Sequence, residues 1–201
     1  MNSESIPEYK IILASNSSIR QKILEDSGIP FEVVPSEVEE EELKQSLSGN
    51  NFREYCLTLA KAKALDVSNK KKNAYVIGSD QICCYGEEIF SKPLTKENCF
   101  KTLSKLSGNT HYQNCGISIC KNGKEIWSHY AQAALTMKSL SDREIRDYID
   151  KDEPFMACGA YRFESLGKNL FLTTKGDETT IQGLTLNPII NFLTSKKVIN
   201  L

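Results

Sequence analysis

The sequence predicts a mixed α/β fold, in which helices flank a sheet with both parallel and antiparallel strands. Short apolar runs typical of buried strands alternate with helical patterns, which favours parallel pairing. A long hairpin around Asn122-Gly123 adds antiparallel pairing, because Asn-Gly supplies the left-handed turn that a two-residue hairpin needs. The 201 residues suit one medium domain over 1–201, or two lobes that share one cleft.

Apolar patterns predict the strands of this sheet. The predicted strands and hairpin arms span residues 11–14, 31–34, 74–78, 82–90 with a turn at Gly86, 111–120 and 125–138. Residues 163–174 have a mixed pattern with a turn at Gly167.

Local start and stop signals predict the helices. The first begins after Ser15-Asn16-Ser17-Ser18 and ends at Gly28, and the second spans residues 52–67. Thr95 is the expected N-cap of a helix that ends near Gly108, and residues 141–144 form a capping box. A closing helix is predicted over residues 186–193, with Pro188 in its first turn.

The overall charge excludes some classes of partner. The net charge of −1 provides no general field that attracts nucleic acid or an anionic membrane, so an anionic ligand must be bound by a local arrangement. No run approaches the roughly 18 apolar residues of a membrane span, and residues 1–10 lack the apolar run of a signal peptide. We expect a cytoplasmic protein.

The seven cysteines show no pattern of a metal site. No two are spaced as Cys-x-x-Cys, and only His111 and His129 could join them as ligands. Reduced thiols in the core are therefore a better interpretation than a zinc site. The two histidines belong to no motif and receive no role. A serine or cysteine triad is likewise not indicated.

The segment from Ile11 to Arg20 is a candidate phosphate site. Its serines lie between a buried strand and a helix, where backbone amides and hydroxyls favour an anion. Arg20 could add a bidentate positive charge. Taken alone, capping of the helix by Ser15 or Ser17 is the commoner use of such residues.

Asp80 is the candidate for metal binding or for accepting a proton from water. It follows the apolar run 75–77, which would place it at the rim of the sheet, where sites of α/β proteins usually lie. A turn-forming aspartate is the alternative.

Lysines and an acidic run could complete such a site. Lys61 and Lys63 are two residues apart on a helix and cannot share a face, so at most one should point into the site. Lys92 precedes Pro93, which restrains the backbone there. The acidic stretch 37–42 is expected to be mostly solvated loop, although one or two of its carboxylates could complete a magnesium site.

An ordered set of segments resembles motifs of the Maf family of nucleotide pyrophosphatases. The segments are Leu13-Ala14-Ser15-Asn16-Ser17 through Arg20, Glu37-Val38-Glu39-Glu40, Leu59-Ala60-Lys61-Ala62-Lys63-Ala64, Val76-Ile77-Gly78-Ser79-Asp80 through Ser91-Lys92-Pro93, and later Glu153-Pro154, Gly159-Ala160-Tyr161 and Ile181-Gln182-Gly183-Leu184. The resemblance runs from about residue 11 to residue 193. One departure is Ser18, where the family has proline.

The resemblance implies a fold, a reaction and a set of roles. The fold is the bent mixed sheet with a deep cleft that inosine triphosphatases also have. The reaction hydrolyses a nucleoside triphosphate between the α- and β-phosphates, with Mg²⁺ or Mn²⁺ as cofactor. By analogy, the roles fall to Asp80 as the proton acceptor, Ser15, Ser17, Arg20, Lys63 and Lys92 as substrate contacts, and Glu39 with Asp80 as metal ligands. A homodimer is left open.

The same resemblance bears on the base. The branch that hydrolyses dTTP and UTP typically has arginine at the position of Ile19, threonine at Gln81 and glutamine at Glu164, whereas this chain resembles the branch that prefers 7-methyl-GTP. A carboxylate at Glu164 can accept both N1–H and N2–H of guanine, and it attracts the cationic 7-methylated base. Glu164 as an ordinary surface residue is the alternative.

Three hypotheses about function follow. The first is clearance of the modified nucleotide 7-methyl-GTP, and the second is the same hydrolysis of dTTP or UTP. The third is a regulatory nucleotide-binding protein in cell-division arrest, in which hydrolysis is incidental.

Overall fold

The computed structural model describes residues 10–47 and 51–200. Its strands are β1 (Lys10–Leu13), β2 (Glu32–Val33), β3 (Ala74–Tyr85), β4 (Glu88–Phe90), β5 (Thr110–Lys121), β6 (Lys124–Met137) and β7 (Phe171–Lys175). Its α-helices are α1 (Ser18–Asp26), α2 (Glu40–Ser46), α3 (Phe52–Lys70), α4 (Lys96–Leu106), α5 (Asp142–Asp152), α6 (Glu178–Ile181) and α7 (Leu186–Ser195), and a 3-10 helix spans Leu166–Leu170.

The sheet is mixed, as predicted. The strand order is β2-β1-β3-β5-β6-β7, and β4 pairs with β3. β1 is parallel to both β2 and β3, whereas β4 runs antiparallel to β3 and β7 runs antiparallel to β6. The predicted α/β class with a mixed sheet and flanking helices is therefore confirmed.

β3 differs from the prediction in a way that matters for Asp80. The prediction ended one strand at Gly78 and began a separate hairpin at Ile82, but a single strand continues from Ala74 to Tyr85. Asp80 thus lies inside a strand, and its predicted position at the strand's end was wrong. Gly78 is a packing position, because an added Cβ there would lie 2.2 Å from the carbonyl oxygen of Ala60 in α3.

Local signals located most helices correctly. The hydroxyl of Thr95 accepts from the N–H of Asn98, and Ser141 and Glu144 form the predicted capping box. The prediction missed α2, α6 and the 3-10 helix. The acidic stretch 37–42 is only partly loop, because α2 begins at Glu40, where three glutamates in the first turn interact favourably with the helix dipole.

The chain divides into two compact units. The first contains the described residues up to Asp80, Gly116–Tyr130 and those from Leu184 onward, and the second contains Gln81–Cys115 and Ala131–Gly183. A buried cluster in the first unit joins β1 and β3 to Ala64 and Val67 of α3. The second unit has a larger core, to which α4, α5, β6 and β7 contribute. The predicted single domain around one cleft stays a prediction.

The cysteines agree with the expectation of reduced thiols. All seven cysteines are free thiols, six of them buried and Cys158 partly buried. In the parts of the chain that the structure describes, no helix combines the length and apolarity needed to cross a membrane.

Candidate functional site

The loop between β1 and α1 arranges its serines in an unexpected way. Ser17 occupies the N-cap position of α1, but its side chain makes no capping hydrogen bond. The Ser15 hydroxyl instead accepts from the backbone N–H of Ser17 at 3.2 Å, and Ser15 is buried. The two serines therefore order the loop itself, at the end of α1 where the helix dipole favours an anion.

Arg20 connects this loop to β3. Its Nη1 donates to the backbone carbonyl of Ser79 at 2.9 Å and lies 3.4 Å from the Ser15 hydroxyl. The arginine reaches from the first turn of α1 to the residue that precedes Asp80. Ile19, the position implied to select the base, is half-buried next to it on α1.

Lys63 occupies the centre of the site in the first unit. Its Nζ donates to Oδ1 of Asp80 at 2.7 Å and lies 2.9 Å from Oε1 of Glu40. The side chains of Lys63 and Asp80 are each only 9% exposed. One ammonium group is thus held between two carboxylates, one from β3 and one from the start of α2.

The surroundings of Asp80 act on its carboxyl in opposite directions. Burial raises the pKa of Asp80 above its ordinary value and is the largest influence. The positive charges of Lys63 and Arg20 oppose this rise, and the negative charge of Glu40 adds to it. A carboxylate with a raised pKa is a better proton acceptor near neutral pH than an ordinary aspartate.

Glu40 was missed by sequence reasoning, which selected Glu39. Glu39 is exposed at the N-cap of α2, whereas Glu40 contacts Lys63 and lies 3.6 Å from Nζ of Lys44. The acidic run indicated that a carboxylate from this stretch could reach the site. Only the start of α2 determines which of the neighbouring glutamates points towards Lys63.

The donor set of Asp80 and Glu40 fits a divalent cation. Among residues 10–47 and 51–200, no three His, Cys, Asp or Glu side chains form a ready-made metal cage. Mg²⁺ nevertheless binds proteins through one or two carboxylates and completes its shell with substrate phosphates and water. Two carboxylates that already converge on one positive charge match that requirement.

The two lysines of α3 point in different directions, as their spacing predicts. Lys63 is buried in the site, whereas Lys61 is exposed and pairs with Glu125 at 3.0 Å. One chain of contacts within the first unit joins five of the residues selected from the sequence, namely Ser15, Ser17, Arg20, Lys63 and Asp80.

Three of the sequence-selected residues, Gln81, Lys92 and Glu164, belong to the second unit. Gln81 is half-buried, and its Nε2 donates to the carbonyls of Thr180 and Ile181 at 3.1 and 2.7 Å. These carbonyls lie at the end of α6. Gln81 therefore fastens β3 to this short helix.

Lys92 is exposed and lines a shallow pocket of about 270 Å³. Lys101, Lys105, Asn98 and Thr102 of α4 line the same pocket. Two of these lysines are already paired with glutamates, Lys101 with Glu97 and Lys105 with Glu88.

Glu164 lies between Tyr161 and the 3-10 helix and is an exposed residue. Its Oε1 accepts from Nε of Arg162 at 3.3 Å. Its side chain is 26% exposed, so a ligand can still reach the carboxylate. The guanidinium that contacts Glu164 was not foreseen from the sequence.

Comparisons with known proteins find relatives along nearly the whole chain. Residues 10–196 match the family described as Maf-like protein. A nucleoside triphosphate pyrophosphatase of Legionella pneumophila (strain Corby) is 40% identical over 99% of this chain and 100% of its own length. A 7-methyl-GTP pyrophosphatase of Brucella abortus biovar 1 (strain 9-941) is 37% identical over 95% of this chain and 98% of its own length.

A solved structure, the Ham1 protein of Staphylococcus aureus, is 16% identical with a TM-score of 0.48, covering 93% of this chain and 99% of that one. The family match spans nearly the whole chain, and the relatives match it end to end at well above 30% identity. The chain belongs to the Maf family.

Proposed function

We propose that this chain is a nucleoside triphosphate pyrophosphatase that releases a nucleoside monophosphate and pyrophosphate, and that 7-methyl-GTP is its preferred substrate. The activity is supported by full-length relatives that carry the name nucleoside triphosphate pyrophosphatase. The finer choice of 7-methyl-GTP is supported by one relative of that name and by the identities of Ile19, Gln81 and Glu164.

The observation that carries the activity is the position of Lys63 between Asp80 and Glu40. Phosphoryl chemistry is catalysed mainly by neutralising charge and positioning groups, since a triphosphate carries about four negative charges near neutral pH. Lys63 and Arg20 supply positive charge within one unit, next to a loop at a helix N-terminus.

Asp80 is proposed as the proton acceptor for the attacking water. The water oxygen forms a bond to the α-phosphorus, the bond from that phosphorus to the oxygen bridging it to the β-phosphate breaks, and the water proton passes to the Asp80 carboxylate. Burial favours this role because it raises the pKa of Asp80 towards neutrality. Lys63 holds the carboxylate in one orientation through its 2.7 Å hydrogen bond.

Mg²⁺ or Mn²⁺ is the proposed cofactor, with Asp80 and Glu39 as the ligands selected from the sequence. The contact of Glu40 with Lys63 supports adding Glu40 to this set. When bound, the cation would neutralise negative charge on the phosphates.

Ser15, Ser17, Arg20 and Lys92 are the remaining proposed contacts of the triphosphate. Ser15 and Ser17 offer hydroxyls beside the first turn of α1, and Arg20 and Lys92 offer positive charge. Hydrogen bonds within the protein already hold Ser15 and Arg20, so less conformational freedom is lost when they bind a triphosphate.

Glu164 is the proposed reader of the base. An ionised carboxylate accepts the two adjacent N–H groups of guanine, and uracil or thymine offers only one donor between two acceptors. The hydrogen bond from Arg162 restrains the carboxylate without covering it. Gln81 and Ile19 are also proposed to affect which base is bound. Gln81 would act through its hydrogen bonds to α6, and Ile19 would act because it stands where the dTTP and UTP branch has a second arginine.

A nucleotide panel tests the proposal. Turnover of 7-methyl-GTP, GTP, dTTP and UTP is measured with Mg²⁺ and with Mn²⁺, and both products are identified. We expect kcat/KM to be highest for 7-methyl-GTP. Faster turnover of dTTP or UTP would replace the proposed substrate but leave the pyrophosphatase activity in place, and release of single phosphate without pyrophosphate would contradict the reaction.

The regulatory hypothesis needs a separate test, the Asp80→Asn variant. If this variant loses hydrolysis but reproduces the cellular effect of the unaltered protein on division, nucleotide binding rather than hydrolysis is the function. If both are lost together, hydrolysis is required.

A further inference from the structure

A buried carboxylate in the second unit, Asp152, has no part in the proposed chemistry. It ends α5 and is 4% exposed. A negative charge at the C-terminus of a helix opposes the helix dipole, and a buried charge costs stability unless it is well partnered. The partners of Asp152 therefore indicate what it does.

Two hydroxyl groups donate to the Asp152 carboxylate. The Tyr148 hydroxyl donates to Oδ2 at 2.8 Å, and the Ser165 hydroxyl donates to Oδ1 at 2.6 Å. Tyr148 is one turn earlier on α5, but Ser165 is the residue immediately after Glu164. One end of the Glu164 segment is thus tied to Asp152.

The other side of Glu164 is tied to the same carboxylate through Arg162. The backbone N–H of Arg162 donates to the Tyr148 hydroxyl at 3.0 Å. Its Nη1 donates to the Asp152 carbonyl at 3.4 Å and lies 4.0 Å from Oδ1. Nε of the same guanidinium donates to Glu164 at 3.3 Å, so one planar group joins Asp152 to Glu164.

The segment is also fixed upstream of Arg162. The Tyr161 hydroxyl lies 2.9 Å from Nε2 of His111 and accepts from Gln113 at 2.8 Å, and all three side chains are buried. Ala160 just before it has φ of +60°, a left-handed conformation that a non-glycine residue keeps only where its surroundings hold it. Residues 160–165 are consequently held in place by contacts within the protein.

We propose that Asp152 is a positioning residue for base recognition: by holding Arg162 and Ser165, which flank Glu164, it sets the orientation of the Glu164 carboxylate. The inference rests on the proposed role of Glu164 as the reader of the base. It adds Asp152, Tyr148 and Arg162, all in the second unit, to the residues proposed to determine substrate choice.

The test compares substrate preference rather than activity alone. The measured quantity is kcat/KM for 7-methyl-GTP divided by kcat/KM for UTP. Glu164→Gln is expected to lower this ratio by roughly tenfold or more, because it removes a hydrogen bond to a charged group. Asp152→Asn and Tyr148→Phe are expected to lower it by several-fold through KM for 7-methyl-GTP, with kcat for UTP unchanged.

Two comparisons separate positioning from general stability. In the Glu164→Gln background, Asp152→Asn should cause no further change in the ratio, because the residue acts through Glu164. Ser165→Thr keeps the hydroxyl and should keep the ratio, whereas Ser165→Ala should lower it. Thr95→Ala removes the N-cap of α4 in the same unit and should lower the melting temperature without altering the ratio.

The outcomes distinguish this inference from the proposed substrate. If Asp152→Asn, Tyr148→Phe and Ser165→Ala lower the melting temperature but leave the ratio unchanged, the positioning role is wrong. If the unaltered protein prefers UTP, the proposed substrate is wrong, but the positioning role stands when Asp152→Asn shifts the ratio only in the presence of Glu164. If Glu164→Gln leaves the ratio unchanged, Glu164 does not read the base and the inference is overturned.

Discussion

The Lys63 ammonium nitrogen lies 2.7 Å from Oδ1 of Asp80, and the two side chains are equally buried. A buried ion pair is weak support for stability, because removing two charges from water costs about as much as their attraction returns. A buried pair between α3 and the middle of β3 is therefore better explained by the chemistry that it can perform.

Replacing Lys63 by methionine should remove both charge neutralisation and the partner of Asp80. We expect kcat/KM to fall by roughly a hundredfold or more. Loss of one member of a buried pair should also lower the free energy of unfolding by about 3 kcal/mol. Steady-state kinetics and urea unfolding at pH 7.5 measure the two effects.

The matched control is Lys61→Met, two residues away on another face of α3. Lys61 pairs with Glu125 at the surface, and such pairs contribute little. Its replacement should change the free energy of unfolding by no more than about 0.5 kcal/mol and leave kcat/KM nearly unchanged. Equal losses in the two variants would contradict the assignment of Lys63 to the site.

Replacing Asp80 by asparagine should abolish hydrolysis without destabilising the protein. The pKa of Asp80 is raised in the folded state, so its stabilising contribution is complete below the ordinary value of 3.8 and is lost as the pH rises through the folded pKa. At neutral pH the buried, ionised carboxylate thus lowers the stability of the folded protein, and the neutral amide of asparagine avoids this loss.

Thermal unfolding at pH 7.5 checks this prediction. The variant should melt at the same temperature as the unaltered protein or higher, and Lys63 retains Glu40 as a partner. A melting temperature several degrees lower would mean that the pair is a net stabilising contact, against the interpretation given above.

His111 should make the protein sensitive to acid. Burial lowers the pKa of His111 from 6.5 to about 4. Below pH 6.5 the histidine is protonated in the unfolded chain but stays neutral in the folded protein. The contribution of His111 to stability is therefore fully present above pH 6.5 and is lost as the pH falls towards about 4. Between pH 7.5 and pH 5 the loss from this group should be about 2 kcal/mol.

His111→Gln removes the titrating ring and isolates this contribution. Urea unfolding measures the free energy of unfolding at each pH. Between pH 7.5 and pH 5, this free energy should fall by about 2 kcal/mol less in the variant than in the unaltered protein. His129→Gln is the control. Because His129 is less buried, its replacement should change the pH dependence of the free energy of unfolding less. Parallel pH curves for the His111 variant and the unaltered protein would show that His111 is not kept neutral by the fold.

Gly78 should tolerate no side chain. An alanine Cβ would lie 2.2 Å from the carbonyl oxygen of Ala60 and 2.8 Å from the backbone nitrogen of Ala64, so β3 and α3 would have to separate. We expect Gly78→Ala to destabilise the protein by about 3 kcal/mol or to prevent folding.

Gly86→Ala provides the comparison, since an added Cβ there meets nothing within 4 Å. Gly86 has φ of +58°, so alanine should cost only about 1 kcal/mol of backbone strain. Soluble yield and chemical unfolding distinguish the two variants. A mild effect at Gly78 would mean that α3 can move away from the strand at little cost.

Much of this protein follows from its sequence because the deciding interactions are local. The hydroxyl of Thr95 caps a helix that begins at the next residue, and Asn122-Gly123 joins two strands that follow one another directly. The opposite directions of Lys61 and Lys63 follow from the turn of a single helix. The ordered motifs likewise identified the family without any contact being known.

The tertiary structure decided which of these residues meet. Lys63 and Asp80 are 17 positions apart, and Arg20 and Ser79 are 59 apart, so their contacts depend on how α1 and α3 pack against β3. The same fold places Glu40 against Lys63 and continues β3 through Gly78 and Asp80. The contacts of Asp152 with Arg162 and Ser165, which lie on either side of Glu164, also required the fold, because hydrogen bonds across a turn depend on backbone direction, which residue types alone do not specify.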